Sequence, residues 1–358
     1  MHSPRFLLSL ALIAACTSRT ERADTSDVAR TTRARSGGVP ELVYVSNEDS
    51  RNLSVIDAST NAVVSTIEVG TRPRGVKISP DGRTVYVALS GSPKCPPTMP
   101  DAECAKKVAD RKLDGVAVVD VATRKTVKVL PAGLDPETFD VSADGRTLFV
   151  SNEDADSLTI VDIASGQPTA NVKVGREPEG VTVAPDGKTV WVTSEGDNNV
   201  TVVDVATGRA LATIATGGKR PRSVGFLPDG SKAYVTNETT GSIAVIDPVT
   251  RRLRDTIALP AGSRPMGIAV SRDGRRAYVS NGRSGTVSVI DARRDSVVST
   301  AQVGVRPWGI ALSSDDKWLY TANGPGNDVS VVNTATLQVE HRIPVGGSPW
   351  GAAIAARP

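Results

Sequence analysis

Histidine is nearly missing from this chain: two in 358 residues, His2 and His341. A Ser-His-Asp or Cys-His nucleophile, a histidine-rich copper or zinc centre and a His-ligated haem all need imidazole at the site, so each is excluded. Cysteine occurs three times, at Cys16, Cys95 and Cys104, with no Cys-x-x-Cys-His run for a c-type haem. No glycine-rich phosphate loop is present, and the glycines read as turn residues. Neither sign of charge dominates: 42 Lys and Arg stand against 39 Asp and Glu, a net of +3. A whole-chain nucleic-acid footprint is therefore lacking.

What is present begins with a leader. His2 and Arg5 precede the apolar run Phe6–Ala15, which is too short to span a bilayer and reads as a secretory signal over residues 1–15. The string Leu12-Ile13-Ala14-Ala15-Cys16 resembles a bacterial lipoprotein box, which implies acylation of Cys16; the other reading is an ordinary signal cut near Ala15. Residues 16–40 are rich in Thr, Arg, Ser, Ala and Gly without apolar period and are expected to be a flexible, lipid-anchored linker. The implied location is the periplasmic side of a bacterial outer membrane. There Cys95 and Cys104 can pair in a disulfide, since too few other ligands surround them to hold a metal.

The rest of the chain repeats. Aligned on the residue closing each Val-Ile-Asp-like run (Asp57, Asp120, Asp162, Asp204, Asp247, Asp291, Asn333), the gaps are 63, 42, 42, 43, 44 and 42 residues. One gap carries an insertion at 90–114, and the others share the length of a propeller blade. Each unit predicts four strands, A to D. Pro178-Glu179-Gly180-Val181-Thr182-Val183 is a strand A, Pro185-Asp186-Gly187 a hairpin turn, Val190-Trp191-Val192-Thr193 a strand B, and Val200-Thr201-Val202-Val203-Asp204 a strand C. Tyr44, Tyr86, Phe149, Trp191, Tyr234, Tyr278 and Tyr320 share one repeat position, as a packing requirement would demand. The chain enters the repeat at a strand B, near residue 41, and ends after a strand A. The expectation is an all-β, seven-bladed β-propeller over 41–358, closed by strands B, C and D from the N-terminus and strand A from the C-terminus.

Tyr234-Val235-Thr236-Asn237 is the motif of the YVTN-repeat propellers, and Tyr-Val-Ser-Asn recurs at 44–47 and 278–281. The runs Ser151-Asn152-Glu153-Asp154, Arg306-Pro307-Trp308-Gly309 and Gly347-Ser348-Pro349-Trp350-Gly351 further resemble propellers named for association with PQQ-dependent catabolism. This likeness is specific for fold and weakly specific for function. It implies relatives among binding propellers and among propeller lactonases.

By analogy with such blades, the residue after each repeat proline faces the channel mouth: Arg74, Glu137, Glu179, Arg222, Met266, Trp308 and Trp350. The next position is always small: Gly75, Thr138, Gly180, Ser223, Gly267, Gly309 and Gly351. A purely structural position repeats its residue, whereas the ring before the small ones holds bases, acids, a thioether and two indoles. It reads as a binding patch with a charged and an aromatic side; the other reading is solvated positions free to drift. Glu48, Glu153, Glu195 and Glu238, opening the B-to-C loops, are expected at the same mouth. No catalytic residue, metal ligand or cofactor is assigned.

Two functions follow. The main expectation is a non-enzymatic binding or scaffold propeller, monomeric, accessory to a PQQ-linked periplasmic oxidation system, with a small molecule or periplasmic protein as partner. The alternative is a lactonase-like, metal-assisted hydrolase of a small ester or lactone at the propeller mouth, with Glu137 and Glu179 in acid–base work and Arg74 or Arg222 stabilising an anion. Nucleic acid is not expected as a partner, because basic residues read as unconcentrated.

Overall fold

The computed structural model describes residues 40–94, 99, 103 and 107–356, all within one compact unit. Cys16, Cys95, Cys104 and the leader lie outside the described residues. Val, Ile and Tyr dominate the short runs between turns, and such residues pack well on pleated surfaces. They form twenty-eight strands in seven antiparallel four-stranded sheets. The chain is a seven-bladed β-propeller.

Blade 1 pairs the last strand, Pro349–Ala356, with the first, Glu41–Asn47, in the register Glu41↔Ala356 to Val45↔Ala352, with a shift before Asn47↔Pro349. Strands Asn52–Asp57 and Ala62–Glu68 complete it. The inner A strands of blades 2 to 7 are Val76–Ile78, Pro136–Val141, Pro178–Val183, Pro221–Phe226, Pro265–Val270 and Pro307–Leu312. Ring closure by the two ends leaves no blade without a neighbour.

Strands B and C are buried almost throughout, while the outer D strands alternate or face solvent. That follows from sheets stacked face to face. Each core cluster spans two blades: Trp191, Val200 and Val202 of blade 4 pack on Val224, Phe226 and Val235 of blade 5. The Trp191 and Phe226 rings meet edge to face, centroids 5.1 Å apart. All seven residues at the shared aromatic position are buried, from Tyr44 at 0% to Tyr278 at 5% exposure.

The repeated motif has a reason that lies between blades. The hydroxyl at its third position donates to the backbone carbonyl of the next blade's mouth residue: Ser46 to Arg74 (2.5 Å), Ser151 to Glu179 (2.6 Å), Thr193 to Arg222 (2.9 Å), Thr236 to Met266 (2.7 Å) and Ser280 to Trp308 (2.7 Å). The small residue after the mouth residue makes room for the same carbonyl. A Cβ on Gly180 would stand 2.1 Å from the Arg222 oxygen, and one on Gly309 2.5 Å from that of Trp350. The motif asparagine turns inward rather than forming a turn: Asn47 Nδ2 donates to Asn52 Oδ1 and Ser54 Oγ, both at 2.9 Å, tying strand B to strand C.

Candidate functional site

The mouth is set by a backbone device that repeats round the ring. The residue before each mouth proline is left-handed: Arg72, Asp135, Glu177, Arg220, Arg264, Arg306 and Ser348 have φ between 44° and 56°. Such a conformation is uncommon for a residue with a side chain. In six blades its carbonyl accepts the N–H of the B-to-C loop residue, as in Glu153 to Asp135 (3.1 Å), Glu195 to Glu177 (3.0 Å) and Glu238 to Arg220 (2.9 Å). In these six blades three positions are thereby brought to one rim: the left-handed residue, the mouth residue and the loop residue, the last a glycine on blades 6 and 7. The first of these escaped sequence reasoning. Its signal was available, because a charged residue precedes the repeat proline in six of the seven blades.

These side chains line a cavity of about 500 Å³. Of the expected site residues it gathers Arg74, Glu137, Glu179, Arg222, Trp308, Trp350, Glu48, Glu153 and Glu195, and it adds Arg72, Lys94, Arg220, Arg306 and Ser348. Met266 and Glu238 stand apart, in a neighbouring groove with Arg264, Arg283 and Arg306. Met266 is 8% exposed and lines that groove rather than the cavity. Glu238 still reaches the site through Arg222, at 2.7 Å. His341 is exposed on the outer strand Val339–Pro344, far from this chemistry.

Read by blade, the mouth has two arcs. Blades 2 to 5 present Arg74, Glu137, Glu179 and Arg222. Blades 6, 7 and 1 present Met266, Trp308 and Trp350. The loop position follows suit, with Glu153, Glu195 and Glu238 on blades 3 to 5 and Gly282 and Gly324 on blades 6 and 7.

The charged arc is built on two buried guanidiniums. Arg74 pairs with Glu137, with Asp135 at 3.3 Å, and more distantly with Glu48 and Glu153, both at 3.8 Å. The oxygens of Asp135, Glu137 and Glu153 come within 4.8 Å of one another, a set that could hold a cation, and Arg74 supplies positive charge among them. Arg222 pairs with Glu179, with Glu195 at 3.0 Å and with Glu238. Burial opposes its charge, and the three glutamates reverse that and hold it protonated.

The carboxylates respond differently to the same surroundings. Glu179 is buried, and its pKa is pushed up to about 8; burial is the main cause, aided by Glu195 and Glu153, and it outweighs Arg222. Burial also raises Glu153 and Glu195. Glu48 and Glu238 feel the same burial, but Arg72, Arg74 and Lys94 outweigh it at Glu48, as Arg222, Arg220 and Arg264 do at Glu238. Both end below the usual range. At neutral pH the mouth thus holds a neutral carboxylic acid, Glu179, beside a fixed cation and ionised neighbours.

The aromatic arc is built by packing. The Trp308 and Trp350 rings meet at 5.5 Å and 61°, and the Arg306 guanidinium lies 5.1 Å over Trp308. Arg306 is exposed, and among the described residues it makes no ion pair. The insertion borders the charged arc. Ser90 donates to Asp135, and Lys94 reaches Glu48 (3.0 Å), Asp49 (2.7 Å) and Ser348 (3.1 Å).

With this geometry in place, comparison with known proteins is informative. Residues 180–342 match the family described as "Lactonase, 7-bladed beta-propeller", and residues 42–217 match the Choice-of-anchor I domain. Over 117 residues the chain is 32% identical to Antigen Lp49 of Leptospira interrogans; the match covers 33% of this chain and about a quarter of that relative's length. In fold it is similar to a periplasmic gluconolactonase of Pseudomonas aeruginosa (TM-score 0.71, 21% identity, covering 89% of this chain and 99% of that one). A functionally unknown protein of Desulfotomaculum acetoxidans is similar too (TM-score 0.73, 17% identity, 88% and 99%). The lactonase-family match overturns the main functional expectation. The non-enzymatic scaffold reading gives way to its alternative, the lactonase-like reading built on Glu137, Glu179, Arg74 and Arg222, which this match favours. The near-absence of histidine weighed toward the scaffold reading, and residue order does not show that burial pushes Glu179 up to about 8, a range suited to acid–base work.

Proposed function

We propose that the chain hydrolyses a lactone or small cyclic ester at the propeller mouth. The observation that carries this reading is Glu179, a buried carboxyl with pKa about 8, against the Arg222 guanidinium in an open cavity. The lactonase-family match over 180–342 supports it.

The steps use groups already present. Glu153 is the most exposed of the raised carboxylates, with 29% of its side chain accessible. It takes a proton from water as the water oxygen attacks the lactone carbonyl. Arg222 faces the developing oxyanion, where a fixed charge in a water-poor site stabilises it. The ring C–O bond then breaks, and Glu179 gives its proton to the departing alkoxide. The product is a hydroxy acid. The Trp308–Trp350 arc holds the face of the substrate away from the reacting bond.

Glu179→Gln cannot donate that proton, and kcat is expected to fall by about 10²–10⁴. In the parent, kcat/KM should decline as pH rises through about 8, where Glu179 ionises. Assay of a panel of lactones measures both. Full activity in Glu179→Gln, or no hydrolysis across the panel, would remove this reading.

We further propose, on the runs quoted above, a place among the YVTN-repeat propellers named for PQQ-dependent catabolism. On the leader and the lipoprotein box we propose export, acylation of Cys16 and residence on the periplasmic side of the outer membrane, with Cys95 and Cys104 paired there.

A further inference from the structure

One stretch of the chain carries a charge imbalance that whole-chain counting hides. Residues 251–294 hold ten arginines and no lysine against three aspartates, a net of +7; the whole chain is +3, so the remainder is −4. Basic residues are therefore concentrated, contrary to the first reading of the sequence. Arg264 and Arg283 stand on the mouth side, and Arg254 lies on an outer strand paired with Asp247. The other seven occupy three turns. Arg251 and Arg252 sit where strand Ser242–Asp247 of blade 5 turns into Arg252–Ala258. In blade 6, Arg272, Arg275 and Arg276 sit between Pro265–Val270 and Arg276–Asn281, and Arg293 and Arg294 between Thr286–Asp291 and Ser296–Gln302.

Strands A start and strands B end at the mouth. These turns consequently lie on the opposite face, one strand length or about 20 Å away. Lys232 joins the two blades there, reaching Asp295 at 2.7 Å. The local aspartates offset the patch only in part: Asp273 meets Arg275 at 3.7 Å, and Asp316 accepts the Arg272 backbone N–H at 2.8 Å. Asp291 is shared between Arg276 (3.3 Å) and Arg294 (3.8 Å), and Asp295 is held by Lys232 and by Tyr234 (2.6 Å). Arg272 and Arg293 are exposed, and among the described residues their side chains make no ion pair. Arg294 has 78% of its side chain in solvent.

The preceding chain enters on this same face. Strand Glu41–Asn47 runs from it toward the mouth. Glu41 accepts the Ser314 N–H at 2.8 Å and borders a groove with Arg272. Twenty-four residues lie between Cys16 and Glu41, so an acyl group on that cysteine would tether the chain through the start of this strand.

We propose that the arginine-rich face of blades 5 and 6 docks on an anionic phospholipid surface, leaving the mouth open on the far side. Planar guanidiniums match phosphate oxygens in a two-point fork. Each basic side chain near an anionic surface strengthens association about fivefold. The inference does not depend on the lactonase reading.

The test uses the full chain carrying Cys16→Ser, so that no acyl group contributes. Its co-sedimentation is measured with vesicles of phosphatidylethanolamine and phosphatidylglycerol, and with phosphatidylcholine alone. Binding is expected to the anionic vesicles only and to weaken with salt. Arg272→Glu with Arg293→Glu should weaken it at least about tenfold, while the mouth-side pair Lys219→Glu with Arg283→Glu, Lys219 being exposed two residues before the mouth proline Pro221, leaves it within about twofold. Circular dichroism checks that both variants fold. Equal sedimentation with both lipids, equal loss in both double variants, or tighter binding to a single-stranded DNA oligonucleotide at the same salt would each overturn the proposal.

Discussion

The charged and aromatic arcs of the mouth share one backbone and differ in what holds their side chains still. On blades 2 to 5 the positions are fixed by charge: Arg74 and Arg222 each gather at least three carboxylates at low exposure. On blades 7 and 1 they are fixed by ring contact between Trp308 and Trp350. The hydroxyl-to-carbonyl link from the preceding blade serves both kinds, holding Arg222 and Trp308 alike. The difference teaches that this propeller anchors its mouth residues through the backbone. Their side chains are thereby left exchangeable, and a site can be composed blade by blade.

The largest break in that comparison is expected at Arg222. Arg222→Met leaves Glu179, Glu195 and Glu238 without their shared cation, and losing one partner of a buried ion cluster costs about 3–5 kcal/mol. The pH dependence has a definite sign. Glu238 is held below its usual pKa, so in the parent it adds stability above the unfolded carboxylate range and loses it as pH falls. Removing Arg222 takes away the largest part of that gain, leaving Arg220 and Arg264, and adds repulsion between ionised carboxylates. The deficit should therefore be largest near neutrality and shrink in acid, which chemical denaturation of both proteins across pH measures.

On the aromatic arc the expected effect is smaller. A double-mutant cycle on Trp308→Ala and Trp350→Ala should return a coupling of about 0.5–1.5 kcal/mol, with no dependence on pH between 5 and 8. If that coupling varied with pH as strongly as the Arg222 deficit, the two arcs would not be physically distinct. The smallest effect belongs to Arg306, exposed and stacked on Trp308. Arg306→Gln should change stability by no more than about 0.5 kcal/mol, while raising KM more than it lowers kcat if the stacked cation orients substrate.

Much of this was legible in residue order. The spacing of the Val-Ile-Asp runs, the Pro-Asp-Gly turns and the aromatic at one repeat position state the blade count, because each reports short-range chemistry within a unit. The mouth ring was legible too, since the residue after each proline varies where its neighbour is always small. The left-handed ring at Arg72, Asp135, Arg220 and Arg306 was not read, because φ before a proline leaves no period in hydrophobicity. The arginine face was missed because a net of +3 averages a +7 stretch with a −4 remainder.

By itself the sequence determined a repeating unit, its turns, its apolar strands and the kinds of side chain at its inner edge, all of which depend on neighbours within about forty residues. The tertiary structure decided which of those side chains meet, that burial pushes the Glu179 carboxyl up to about 8, and that seven arginines share a face. The reason is physical: Coulomb energy and desolvation depend on distance and burial in space. Those exist only once Glu41–Asn47 pairs with Pro349–Ala356 and closes the ring.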